Sequence, residues 1–153
     1  MRARTATVSD ISEVIRLAIV MFEAVGADAS DLGWQSHGRN RLTEGFADGT
    51  VAAFVVDHPS IAGRAISAAA VSLNLRLPTT LNPDGRIAYV QWVATDAEFR
   101  RRGSSRAVMN ALIEWVRTQG VSRIDLHASP DGLRLYRELG FEVPHSQGLV
   151  RTL

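Results

Sequence analysis

The run Ile87–Thr95 is almost wholly apolar and β-favouring, and it leads directly into Phe99-Arg100-Arg101-Arg102-Gly103-Ser104-Ser105-Arg106. An apolar stripe then begins: Ala107, Val108, Ala111, Leu112, Trp115 and Val116 recur at the three- and four-residue spacing of an amphipathic helix, and Gly120 stops it. A strand that is apolar on both faces belongs in the middle of a sheet, since a half-exposed strand alternates. A central strand, a basic glycine loop and a helix packed back on the sheet make this a mixed α/β chain.

The flanking segments fill in that plan. Arg2–Thr7 fits an edge strand. Ser9 or Asp10 fits the N-cap of a helix whose stripe is Ile11, Val14, Ile15, Ala18, Met21, Phe22 and Val25, ended by Gly26. A second helix covers Leu32–Phe46, with Trp34, Leu42 and Phe46 on one face. Thr50–Val56 and Ala65–Leu77 read as strands, the latter alternating Val71, Leu73, Leu75 and Leu77 against Ser72, Asn74 and Arg76. Pro78–Arg86 is turn-rich. Ile124–Ala128 is a further strand. Ser129 then caps a short helix with Pro130 at its first position, and Gly140 ends it. Phe141–Leu153 leaves room for one or two short strands. The expected order is β-α-α-β-β-β-α-β-α-β, one domain over residues 1–153 with a mostly antiparallel sheet.

Composition limits the function. A formal net charge of +1 over 153 residues gives no bulk attraction to nucleic acid or an anionic membrane. The chain has no cysteine, so disulfides, a thiol nucleophile and thiolate metal sites are excluded. No apolar run approaches the roughly 20 residues of a membrane span. The N-terminus lacks a secretory apolar core, and a cytoplasmic protein is the expectation.

The loop Arg100–Arg106 has two readings on its residues alone. It is either a solvated basic surface or an anion cradle in which loop N–H groups, the helix N-terminus and the arginines converge on a pyrophosphate. Arginines oppose the positive end of a helix dipole, and an anionic ligand resolves that conflict. The loop is not the Gly-x-x-x-x-Gly-Lys-Ser/Thr of a P-loop, and aromatics for base stacking are missing, so a nucleotide- or nucleic-acid-binding module fits poorly.

The order strand, basic glycine loop, helix, strand, Ser-Pro and a helix with tyrosine resembles the acetyl-CoA-binding core of the GNAT superfamily. Arg100, Gly103 and Ser105 match its Gln/Arg-x-x-Gly-x-Gly/Ala loop, with Ser105 in place of Gly or Ala. Ser129-Pro-Asp-Gly132-Leu-Arg-Leu-Tyr136-Arg-Glu-Leu-Gly140-Phe141 resembles the family's Asn-x-x-Ala-x-x-Leu-Tyr-x-x-x-Gly-Phe segment, with Ser129 and Gly132 as departures. Arg4-x-Ala6-x-x-x-Asp10 resembles its opening element.

The resemblance implies a GNAT fold, with central strands that splay apart and helices on both faces. It also implies direct acetyl transfer from acetyl-CoA to an amine of a small molecule or peptide. On that basis Trp92, Val93, Ala94 and Thr95 hold the pantetheine arm through their backbone. Arg100, Arg101, Arg102, Gly103, Ser104, Ser105 and Arg106 hold the pyrophosphate, with the Ser105 hydroxyl as a phosphate donor, and Ser129 adds a cofactor contact. Tyr136 is the general acid that protonates the departing thiolate. Read without the family, the same tyrosine fits a core position on its helix, and Trp92–Thr95 fit an ordinary buried strand.

The acceptor site in such folds is built from the first two helices and the loop Pro78–Arg86, with Phe22, Trp34, Tyr89 and Gln91 as lining candidates. Phe22 equally fits the core stripe of its helix. The general base is not evident. Ile87–Thr95 holds no carboxylate or histidine, and Gln91 cannot take a proton. A water chain or an already neutral amine serves equally. His127 is the strongest histidine candidate, although its phase opposite Leu126 also fits a structural residue. His37, His58 and His145 have weaker claims, and no two histidines have metal-ligand spacing, so no metal is expected. Scattered Glu23, Asp28, Asp31 and Glu44 argue against a highly cationic acceptor. A non-catalytic acyl-CoA sensor or subunit is the alternative, and a homodimer is compatible with either.

Overall fold

The computed structural model describes residues 1–153. Strand β1 is Arg4–Thr5. A 3-10 turn at Val8–Asp10 leads into helix α1, Ile11–Ala24, and α2 is Leu32–Asp48. Strands β2 (Val51–Asp57), β3 (Ala65–Leu75) and β4 (Arg86–Thr95) follow, then a 3-10 turn at Ala97–Phe99 and helix α3, Ser104–Thr118. Strand β5 is Ile124–Asp125 and α4 is Leu133–Glu138. The sheet runs β1-β2-β3-β4-β5 in chain order. Its first three pairings are antiparallel, and β4–β5 is parallel.

Strict alternation builds two cores. Ala52, Phe54 and Val56 of β2 join Val108, Met109, Leu112 and Val116 of α3 on one face. Val51, Ala53 and Val55 join Val14, Ile15 and Leu17 of α1 and Leu42 of α2 on the other. Side chains such as Leu17 and Leu112 have no exposed surface, and each contributes about 1.5–3 kcal/mol by leaving water. Trp115 packs its ring 6.3 Å from that of Phe54, in keeping with its place on the apolar stripe of α3.

An ion network fastens α1 to the sheet. Arg16 donates to both oxygens of Asp96 at 2.8 and 3.1 Å, to both oxygens of Glu13 at 3.0 Å, and to the Ala65 carbonyl at 2.7 Å. Asp96 follows β4, so one arginine ties the helix to the end of β4 and the start of β3.

Several sequence expectations are corrected. Strand β3 ends at Leu75, and Leu75 and Leu77 are exposed, because their part of the strand projects beyond both helical layers. Ser129 does not cap α4. Its carbonyl accepts the N–H groups of Gly132 and Leu133 at 3.1 Å, forming a turn that delays the helix to Leu133. Strand β5 stops at Asp125 instead of running to Ala128, and no strand forms after Phe141.

Candidate functional site

Strand β4 carries a bulge at the centre of the site. Its register with β3 jumps from Ala70↔Gln91 to Ala68↔Ala94, so Trp92 and Val93 together oppose Ala69. Trp92 sits at φ 56°, a left-handed conformation that costs a bulky residue about 1–3 kcal/mol. The bulge inverts the strand's phase. Ala88 and Val90 face α3, but after the bulge Trp92 and Ala94 face α1 and α2, while Val93 packs against the α3 core. Gln91 and Trp92 therefore reach the same cleft.

Beside the bulge the sheet opens. Strand β5 pairs with β4 only at Ala88↔Ile124 and Tyr89↔Asp125. From Gln91 onward the β5-facing edge of β4 has no strand beside it. That leaves backbone donors and acceptors in the middle of a sheet, where an extended amide-bearing chain can pair with them.

The loop after β4 turns through two left-handed residues, Arg101 at φ 63° and Gly103 at φ 88°. Gly103 is the N-cap of α3. No side chain caps this terminus, and no acidic residue lies in its first turn. The helix thus starts with unpaired N–H groups and its positive dipole end free for an anion.

The loop's side chains divide. Arg101 is exposed, and Arg102 lies over the Phe99 ring at 5.5 Å, leaving both guanidinium groups without a carboxylate partner. Arg100 turns back and donates from Nε to the Thr95 carbonyl at 3.2 Å. Arg106 is paired with Glu138 of α4, which Arg134 also engages. The expectation of four arginines around one anion reduces to two. Ser104 is buried, its hydroxyl donating to the Met1 sulfur.

Ser105 is redirected as well. Its Oγ lies 2.8 Å from Thr95 Oγ1, which lies 2.8 Å from Ser67 Oγ, which donates to the Ala94 carbonyl at 3.0 Å. With Ser67 donating outward, Thr95 must donate to Ser67 and Ser105 to Thr95. The Ser105 proton is spent within the chain, and only its backbone N–H remains for a ligand.

Tyr136 lies on α4, 9% exposed, edge-on to Phe141 with ring centroids 5.9 Å apart. Burial pushes its phenol pKa up, so it stays protonated at neutral pH. Gly132 explains one departure from the motif. A Cβ there would stand 2.9 Å from Tyr136 Cε2 and 3.5 Å from its Cζ, so an alanine needs the tyrosine ring to move. Ser129 is exposed on the turn before this helix.

On the opposite face of the sheet α1, α2, β3 and β4 enclose a cleft of about 1000 Å³. Phe22, Trp34, Tyr89 and Gln91 all line it. The Pro78–Arg86 loop does not; the wall on that side is Ser72 and Asn74 of β3, because the hairpin loop lies beyond the cleft's end. Phe22, Trp34 and Trp92 form an edge-to-face chain with centroid distances of 5.2 and 6.1 Å. Trp92 fits because Gly38 leaves room for it: a Cβ at Gly38 would come within 2.9 Å of the indole.

Asp28 and Glu44, two of the scattered carboxylates, and His37, a weaker base candidate, also line the cleft, together with Arg41, which the sequence alone did not single out. The spacing of His37, Arg41 and Glu44 on one helical face was the available signal. Hydrogen bonds from the Ser30 hydroxyl and N–H hold the Asp28 carboxyl below the usual range. His127, just beyond β5, accepts or donates a 2.6 Å hydrogen bond between its Nδ1 and the Tyr89 hydroxyl.

The family model described as Acetyltransferase (GNAT) family matches residues 20–141. No protein of curated function matches the chain in sequence. Solved structures share the fold. A predicted acetyltransferase of Clostridium acetobutylicum, solved with acetyl-CoA, superposes with a TM-score of 0.86 at 19% identity, covering 98% of this chain and 95% of its own. A GCN5-related N-acetyltransferase of Ralstonia eutropha gives 0.83 at 23% identity over 98% and 97%. The glucosamine-6-phosphate N-acetyltransferase of Arabidopsis thaliana gives 0.73 at 16% identity, also over 98% and 97%.

Proposed function

This chain belongs to the acetyltransferase (GNAT) family, and from that premise we propose that it moves an acetyl group from acetyl-CoA to a primary amine of a small molecule or peptide, by direct attack in a ternary complex. The carrying observation is the bulge at Trp92–Val93. On one side of it lie the unpaired edge of β4 and the uncapped start of α3, and on the other lies the aromatic cleft. Two substrates entering from opposite faces meet at that point.

Acetyl-CoA supplies an activated acyl group on a thiol leaving group. The α3 N-terminus with Arg101 and Arg102 suits its pyrophosphate, through N–H donors and two guanidinium groups free of carboxylates. The β5-facing edge of β4 suits the pantetheine amides. A backbone N–H at the bulge is the donor for the thioester oxygen as charge develops there. Tyr136, kept protonated by burial, delivers a proton to the departing sulfur, since a free thiolate is the conjugate base of an acid with pKa about 8.5. Phe22, Trp34 and Trp92 offer apolar surface for the acceptor, which favours an amine attached to an apolar or aromatic body.

The test is calorimetric titration with acetyl-CoA on the wild type and on an Arg101→Glu/Arg102→Glu variant, followed by thiol release with primary amines. Micromolar binding abolished in the variant, together with amine-dependent thiol release, supports the reading. Binding without turnover on any amine leaves a non-catalytic acyl-CoA sensor. Absence of binding to the wild type overturns both.

A further inference from the structure

Acetyl transfer needs a neutral amine, yet primary amines enter water mostly as ammonium ions. Strand β4 has no carboxylate to remove that proton. The cleft's Asp28 is held in its ionised form by Ser30, which makes it a poor base. His37 and Glu44 of α2 also line the cleft, but the pair Tyr89–His127 joins the cleft wall to an exposed imidazole through a direct hydrogen bond. We propose that Tyr89 and His127 form a proton relay in which Tyr89 touches the acceptor nitrogen and His127 carries the proton to solvent. The proposal rests on the acetyl-transfer reading above.

The sheet geometry creates this pair. Tyr89 lies opposite Asp125 in the parallel β4–β5 register. Ile124 and Leu126 pack against the α3 core, so Asp125 and His127 take the other face, the one that carries the cleft. Asp125 is engaged by Arg123 at 2.9 Å. Beyond Asp125 the strands part, and His127 reaches across the gap to Tyr89, its Nδ1 2.6 Å from the hydroxyl and the ring centroids 5.8 Å apart. Tyr89 is half-buried in the cleft wall beside Gln91 and Trp92, while His127 is exposed. The two positions match the two ends of a relay, one at the substrate and one at water.

The step balances without any outside reagent. An N–H bond of the ammonium breaks and its proton passes to Tyr89 Oη, as the tyrosine's own proton moves to His127 Nδ1. Imidazole suits this role because histidine is the side chain whose ordinary charge change lies nearest neutrality. The freed nitrogen lone pair forms the N–C bond to the thioester carbonyl. The C–S bond breaks with its electron pair on sulfur, which takes the Tyr136 proton, and Tyr136 regains one from the amide nitrogen. One proton, that of the original ammonium, leaves through His127.

The competing explanation is that the hydrogen bond merely ties β5 to β4. A His127→Asn substitution separates the two, because its amide oxygen can accept the Tyr89 hydrogen bond but cannot take the proton. The experiment measures acetyl-CoA affinity and steady-state thiol release for the wild type, Tyr89→Phe, His127→Ala and His127→Asn. Two nucleophiles are used: phenethylamine, which is charged at neutral pH, and hydroxylamine, which is not. The relay predicts that all three variants lose about 10²-fold or more in kcat with phenethylamine. It also predicts that acetyl-CoA affinity and the hydroxylamine rate stay within about twofold. Full activity of His127→Asn, equal losses with both nucleophiles, or unchanged turnover with phenethylamine overturns the relay while leaving the acetyl-transfer reading intact. A wild type that binds acetyl-CoA but releases thiol to neither nucleophile overturns the relay too. Failure to bind acetyl-CoA overturns the acetyl-transfer reading itself.

Discussion

Replacing Arg16 with leucine tests how far one ion network holds the site together. The guanidinium makes five hydrogen bonds, to Glu13, Asp96 and the Ala65 carbonyl. The Asp96 side chain is 9% exposed and that of Glu13 20%, so Arg16→Leu leaves two shielded carboxylates facing each other. Removing one partner of such a buried pair costs about 3–5 kcal/mol. Two remaining donors soften this: the Ala65 N–H, 2.8 Å from Glu13, and Arg64, 3.5 Å from Asp96. The expected loss is therefore about 2–4 kcal/mol, or a fall in Tm of roughly 5–15 °C for a chain of this size.

The pH dependence gives that figure an independent check. Burial pushes the Glu13 carboxyl up, but hydrogen bonds from Arg16 and the Ala65 N–H outweigh it and leave the carboxyl below its ordinary value. Its folded pKa is lowered, so its contribution is present above the unfolded pKa and is lost as pH falls through the folded one. Without Arg16, burial dominates, and the ionised carboxyl opposes folding at neutral pH. Acid then neutralises it, so the gap between wild type and variant narrows as pH falls from 7 toward 4. Urea unfolding followed by circular dichroism at both pH values measures this. A neutral-pH deficit under about 1 kcal/mol, or one that does not shrink in acid, refutes the argument.

Three further outcomes follow from the site. Tyr136→Phe lowers kcat by about 10²-fold while acetyl-CoA affinity stays within about twofold, checked by thiol release and calorimetry. Ser105→Ala removes the end of the Ser67–Thr95–Ser105 chain and costs about 1 kcal/mol in urea unfolding, yet leaves acetyl-CoA affinity unchanged; a tenfold loss of affinity would restore the hydroxyl to the phosphate. Gly132→Ala, at φ −86°, meets no backbone strain, but its methyl displaces the Tyr136 ring, so it lowers kcat with little change in Tm, read from the same thiol assay and a thermal melt.

The amino-acid sequence determined the order of elements through Leu139, the two apolar helix stripes, the central strand, and the glycine at the start of α3. These are local signals: periodicity, caps and turn residues act within a few positions. The family resemblance rested on the same short-range motifs, and the candidate residues Phe22, Trp34, Tyr89 and Gln91 came together in one cleft. What only the tertiary structure decided depends on partners far apart in the chain. The β3–β4 register set the bulge that turns Trp92 toward the cleft, and nothing in the apolar run Ile87–Thr95 marks where the phase inverts. Glu138 removed Arg106 from the anion loop, and Thr95 became the acceptor of the Ser105 hydroxyl's hydrogen bond. His127 read as a lone histidine until the parallel pairing of β5 with β4 set it beside Tyr89, 38 residues away. A side chain's role is fixed by the group that meets its proton or charge, and long-range register, which composition and spacing do not encode, chooses that group.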